Sequence, residues 1–147
     1  MNRYVSDPIP LPPRSPEGPA FNRAELVFHD VDPAGPSYEA RIYVHAEPTD
    51  VAEGEQPAGV FTIFGHGGCF GDEGHCDPVA ERQDPYDFRP PDGIPLQLKN
   101  VDVTAAIGEI EGESIIVTVI PVEAGEEGPV PSDALHFTQL RLLTYAD

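Results

Sequence analysis

The sequence lacks most of what would announce a hydrolase, a nucleotide-binding enzyme or a membrane protein. It has no Gly-x-Ser-x-Gly turn to present a nucleophilic serine. It has no Gly-x4-Gly-Lys-Ser/Thr loop to cradle phosphates. No apolar run approaches the ~20 residues a bilayer-spanning helix requires, and Met1 to Pro8 contain no apolar core of a secretory signal. Basic residues are scarce, 8 against 26 acidic ones, and the formal net charge is −18. A phosphate backbone would repel such a chain, as would an anionic membrane surface. Charge therefore argues against nucleic acid and membrane as partners. It favours solubility and attraction to cations or a basic protein patch. It is also the kind of composition that adaptation to the solvent of the source organism produces. Without a signal core the chain is expected in the cytoplasm, where its 2 cysteines would be reduced.

What is abundant is equally informative. With 18 prolines and 14 glycines in 147 residues, long helices are disfavoured. The length suits one domain with a core that needs no staples. Residues 1–20, with Pro8, Pro10, Pro12, Pro13, Pro16 and Pro19, read as a proline-rich extended arm that either lies across a neighbouring domain or, as is commoner for termini, is mobile. Residues 21–147 read as a single domain of strands and turns.

Ala24–His29 and Tyr38–His45 alternate as strands on either side of the turn cluster Asp32–Pro36, and together resemble a β-hairpin with a long loop. In the second run Ala40, Ile42 and Val44 share one face, and Glu39, Arg41, Tyr43 and His45 share the other. Glu47–Pro57 is a loop, and Ala58–Phe64 is a third strand. Asp77–Pro95 is a long irregular segment, with Tyr86, Phe88 and Arg89 as candidate packing anchors. Leu96–Val103 is a strand. Thr104–Ile110 allows one or two helical turns capped by Asp102 or Thr104. Ser114–Val122 is nearly continuously apolar and is expected at the centre of a sheet, buried on both faces. Leu135–Tyr145 is the last strand, with a bulge expected near Leu142. The expectation is an all-β fold: an antiparallel β-sandwich, or flattened barrel, of about seven strands with long loops and at most one short helix.

One stretch carries the chemistry. Residues 65–77 hold both cysteines, two of the five histidines and five of the fourteen glycines. Glycines without a Cβ let such a loop fold back and aim side chains at one point. His66, Cys69, His75 and Cys76 supply two imidazoles and two thiolates, a donor set that fills a closed tetrahedral zinc site and equally suits copper(I). His75 and Cys76 are neighbours, so in extended chain they point to opposite faces, and a turn is needed to bring both inward. Other readings of the same residues stand beside this one. Cys69 and Cys76 could pair as a disulfide, or the loop could be a simple turn-rich connection. Cys69 with His66 or His75 could form a thiolate nucleophile. Asp72, Glu73 and Asp77 could add carboxylates for a harder metal, although solvated loop charge is the commoner role. His29, His45 and His136 fall on strand patterns and read as structural, with His45 the best outside candidate for a fourth ligand.

Five runs, in order, resemble the C-terminal domain that follows the dicopper domain of plant-type polyphenol oxidases and related bacterial tyrosinases. They are Ala40-Arg41-Ile42-Tyr43-Val44, Ala58-Gly59-Val60-Phe61, Leu98 to Thr104, Ser114-Ile115-Ile116-Val117-Thr118-Val119-Ile120-Pro121, and the strand Phe137–Leu142. The resemblance spans roughly residues 24–143. It implies a β-sandwich that packs over and shields a copper oxidase partner. In the histidine- and lysine-rich stretch of the plant domains only His66 has a counterpart, so the Cys/His set is not a family site. Some fungal and bacterial relatives do use cysteines or a small partner protein to deliver copper, which favours copper as the metal. The six-histidine dicopper centre of that family is missing, because the chain has 5 histidines and none shows helical i, i+4 spacing. The expected role is therefore a non-catalytic accessory domain carrying a copper(I) or zinc site. The alternatives are a small metalloenzyme or cysteine enzyme using the same loop, and a purely structural interaction module.

Overall fold

The computed structural model describes residues 3–15, 18–19, 21–65, 78–79, 86, 94–124 and 134–146. Among the described residues there are twelve strands and one helix. They are β1 (Tyr4–Val5), β2 (Ile9–Pro10), β3 (Arg14–Ser15), β4 (Gly18–Pro19), β5 (Arg23–Val31), β6 (Tyr38–His45), β7 (Gly59–Ile63), β8 (Pro78–Val79), β9 (Ile94–Pro95), β10 (Gln97–Asp102), α1 (Thr104–Gly108), β11 (Ser114–Glu123) and β12 (Gln139–Tyr145). Two antiparallel sheets carry the fold. One has the order β1-β11-β6-β7, with β2 also on β11, and the other has the order β10-β5-β12. Their inner faces share one apolar core, as an all-β sandwich requires.

Alternation explains which residues enter that core. Ala24, Leu26 and Phe28 of β5 face Ala40 and Ile42 of β6 and Ile115, Val117 and Val119 of β11, all of them buried. Each such side chain is worth about 1.5–3 kcal/mol when fully buried. β11 is central as expected, because Ile116 and Thr118 on its opposite face are buried too. A row of rings ties the sheets together. Phe28 of β5 lies 4.9 Å from Phe61 of β7 and 5.2 Å, edge-on, from Phe137, and Phe137 meets Tyr4 of β1 at 4.8 Å.

Several expectations need correction. The runs at β5 and β6 do not form a hairpin, because they lie in different sheets. The cause is local. Between Phe28↔Lys99 and Val31↔Gln97, β5 spends one residue more than β10, and Asp30 sits there at φ 56°. Asp is among the few residues that tolerate this left-handed region, and Thr138 Oγ1 holds its carboxylate at 2.6 Å. The bulge turns Val31 into the core, where strict alternation would have turned it out. The chain then crosses to the other sheet. The bulge therefore sits in β5, while β12 runs from Gln139↔His29 to Tyr145↔Arg23 without a register shift.

Residues 3–11 are not a loose arm. Tyr4↔Val119, Val5↔Thr118, Ile9↔Ile115 and Pro10↔Ser114 pair along the edge of β11. The kink between the two short strands is bridged by Ser6, whose N–H donates to Val117 O and whose Oγ accepts from Val117 N, both at 2.9 Å. Proline denies the arm donors on alternate residues, and an edge position tolerates that. Of the expected packing anchors, Tyr86 is 83% exposed rather than packed into the core, and Phe88 and Arg89 lie outside the described residues.

The N-cap of α1 is Val103, without a side-chain cap bond, and not Asp102 or Thr104. Asp102, one residue earlier, has an Oδ1 that accepts from Thr104 N at 2.9 Å and from Thr104 Oγ1 at 2.6 Å. The two hydrogen bonds from Thr104 hold the Asp102 carboxyl below its ordinary range. Thr104 Oγ1 in turn accepts from the buried Ala24 N at 2.9 Å, locking the helix to β5. Thr104→Val is expected to strand that N–H and cost about 1–3 kcal/mol in chemical denaturation. Phe28→Ala is expected to cost about 3–5 kcal/mol, with the near-UV circular dichroism of the ring cluster weakened.

Candidate functional site

The register puts one kind of connection at one end of the sandwich. There Val31 pairs with Gln97, Tyr38 pairs with both Ile63 and Glu123, and His29 pairs with Gln139. The connections 32–37, 64–96 and 124–138 all leave and return at this end. His66, Cys69, His75 and Cys76 lie outside the described residues, so the structure describes the roots of their loop and not the ligand set. Both roots are fixed. Gly65 N donates to Ser37 Oγ at 2.9 Å. A Cβ on Gly65 would clash with Gly35 O and the Pro36 carbonyl carbon, so only glycine lets the chain pass here. On the return side, Pro78–Val79 pairs in parallel with Ile94–Pro95, which leads into β10.

The rim between these roots is polar. Asp32 Oδ1 accepts from Ala34 N at 2.8 Å, and Asp32 N donates to His136 O at 2.9 Å. Tyr38 inserts its ring into the core, and its buried Oη has no hydrogen-bond partner among the described residues. Burial, helped by the negative charge of Asp32, pushes the Tyr38 phenol up to about 12. At His29, Arg141 Nε lies 3.0 Å from Nε2. A guanidinium N–H can only donate, so His29 Nε2 must be the acceptor and its lone pair is engaged. His136 is exposed and contributes its backbone carbonyl. Among the described residues no group of three or more His, Cys, Asp or Glu side chains is placed to hold a metal.

His45 stands at the opposite end of β6, roughly 23 Å from Tyr38 at about 3.3 Å per residue. Its Nε2 is 3.0 Å from Glu55 Oε2, while its buried Nδ1 has no partner among the described residues. Position and engagement both count against its use as a fourth ligand at the loop roots. Its evident role is to clasp the loop 46–57 over the outer face of β6. Glu55 secures the same loop through Oε1, which accepts from Ala52 N at 3.2 Å.

One group was missed by sequence reasoning. Glu25, on the outer face of β5, is buried although charged. Arg23 Nη2 holds its Oε1, and Tyr145 Oη donates to its Oε2 at 3.3 Å. With Asn22 these residues line a cavity of about 520 Å³. The available signal was an Arg two positions before a Glu inside an apolar strand, which puts both on one face. The carboxylate closes the end of β12 onto the start of β5.

Comparison with protein families, curated proteins and solved structures returned no match. Among the described residues no helix is long and apolar enough to cross a membrane.

Tyr38 gives a pH test. Its folded value lies above the unfolded one, so its contribution is fully present below pH 10 and is lost as pH rises toward about 12. Tyr38→Phe is expected to fold with unchanged or slightly raised stability at neutral pH, since it deletes an unpaired buried hydroxyl. Its alkaline unfolding curve should be flatter than that of the parent across that window. A clear loss of stability at neutral pH would mean that the hydroxyl has a partner.

Proposed function

We propose that this chain is a non-catalytic accessory domain, similar to the C-terminal domain of tyrosinases. In this reading it binds copper(I) or zinc through His66, Cys69, His75 and Cys76 and attends a copper oxidase partner. The observation that carries the metal reading is the anchored root of the Gly/His/Cys loop. Gly65 is held by Ser37 and wedged against Gly35 and Pro36. A loop that starts from a fixed point on a rigid sandwich loses less freedom when it closes on a metal. The donor set supports the same reading, because two thiolates and two imidazoles match zinc and copper(I) and match magnesium or calcium poorly. Gly74, directly before His75 and Cys76, is the residue type that would permit the turn both neighbours need to face inward. The accessory role rests on the ordered resemblance of five runs and on the missing dicopper histidines.

The test is elemental analysis by inductively coupled plasma mass spectrometry on untagged protein, paired with thiol titration. Stoichiometric zinc or copper, with both thiols unreactive until the metal is chelated, is the expected result. Metal-free protein with two freely reactive thiols would overturn the metal site. Thiols that react only after reductant is added would assign the loop to a disulfide instead.

A further inference from the structure

The cavity of about 520 Å³ beside Glu25 opens on the outer face of the β10-β5-β12 sheet, at the start of β5 and the end of β12. Arg23 and Tyr145 are cross-strand partners there, so guanidinium and ring stand side by side on one face. Glu25, two residues on, shares that face. Its side chain is only 10% exposed, and both of its oxygens are engaged, Oε1 by Arg23 and Oε2 by Tyr145. The carboxylate therefore offers nothing to an incoming group. The guanidinium does. Arg23 is 59% exposed, and among the described residues its side chain bonds only Glu25, through Nη2 alone. Nη2 belongs to both chelating edges of a guanidinium, with a different hydrogen on each, so a single contact leaves one edge whole. Tyr145, 47% exposed, adds a flat apolar wall beside it.

We propose that this cavity binds a small monocarboxylate with a flat apolar body. The remaining edge of Arg23 chelates the carboxylate, and the body lies against the ring of Tyr145. Glu25 is a positioning residue. It fixes the guanidinium through one nitrogen and so removes rotamer freedom that binding would otherwise have to overcome. The unspent groups of Arg23 are N–H donors on a cation, so the ligand must be an acceptor, and a cationic ligand is repelled. The charge of the whole chain sets how much negative charge the ligand can carry. Against −18, and with Asp102 paired opposite Glu25 on the same face, each further negative charge is opposed. At about 0.15 M salt distant charges are largely screened. One negative charge in contact with Arg23 is then held, and the two of a phosphate monoester are disfavoured. This inference does not depend on the metal site or on a copper oxidase partner.

The test titrates the whole protein with benzoate, phenyl phosphate and benzamidine at about 0.15 M salt, followed by nuclear magnetic resonance. Benzoate should bind with a Kd of about a millimolar and shift the Arg23 Nε–H and Tyr145 ring signals. Phenyl phosphate and benzamidine should each bind at least about tenfold more weakly. Arg23→Gln alone would leave Glu25 buried without its cation, so it is combined with Glu25→Gln, which keeps a hydrogen bond without the charges. The double variant should lose benzoate binding, and Tyr145→Phe, which keeps the wall, should retain it. Arg23→Lys keeps the ion pair with Glu25 but not the planar fork, and should weaken benzoate binding severalfold even if the double variant does not fold. Absence of benzoate shifts at Arg23 and Tyr145 would overturn the proposal. So would binding of benzamidine or phenyl phosphate as tight as that of benzoate, or unchanged benzoate binding by Arg23→Lys.

Discussion

Phe28 is the contact on which the rest of the sandwich depends. It is fully buried at the middle of the central strand of one sheet, and it meets Phe61 of the opposite sheet and Phe137 of the last connection. Tyr4 closes the row from the N-terminal arm. Rings at these separations add about 0.5–1.5 kcal/mol per pair beyond the area they bury. Their larger effect is positional, because they hold β1, β5, β7 and the start of β12 to a common centre.

The bulge at Asp30 converts that packing into a polarity of the whole molecule. With the extra residue in β5, Val31 joins the core and the chain crosses to the facing sheet instead of turning back beside itself. The alternation of the remaining strands then gathers three connections at one end, including the one that bears His66, Cys69, His75 and Cys76. The other end is closed by local polar devices: the His45–Glu55 clasp, the Asp102–Thr104–Ala24 chain, and Glu25 between Arg23 and Tyr145.

The strands themselves were legible in the sequence, and their pairing was not. A period of two in Tyr38–His45 and the continuous apolar run of Ser114–Val122 report burial directly, so β6 and β11 appear where expected. Which strands pair depends on what happens between them. A left-handed Asp30 held by a threonine more than a hundred residues away leaves no mark in local composition. The prolines of the first eleven residues signalled extension correctly. Extension, however, is compatible with both a loose arm and an edge strand, and the choice was made by Ser6 and by the open side of β11. Glu25 was hidden because a carboxylate inside a strand usually faces water. Of the candidate metal site the sequence supplied the donor types, while the structure supplied only the fixed departure of their loop.

Cobalt substitution tests the central claim most directly, because it reports thiolate ligation and coordination number together. Cobalt(II) added to metal-free, reduced protein should bind with saturating stoichiometry. It should give an intense near-ultraviolet thiolate-to-cobalt band and strong visible bands of four-coordinate geometry, and Cys69→Ser with Cys76→Ser should erase the former. Weak visible absorption of a six-coordinate ion without a charge-transfer band, or no uptake at all, would contradict the account.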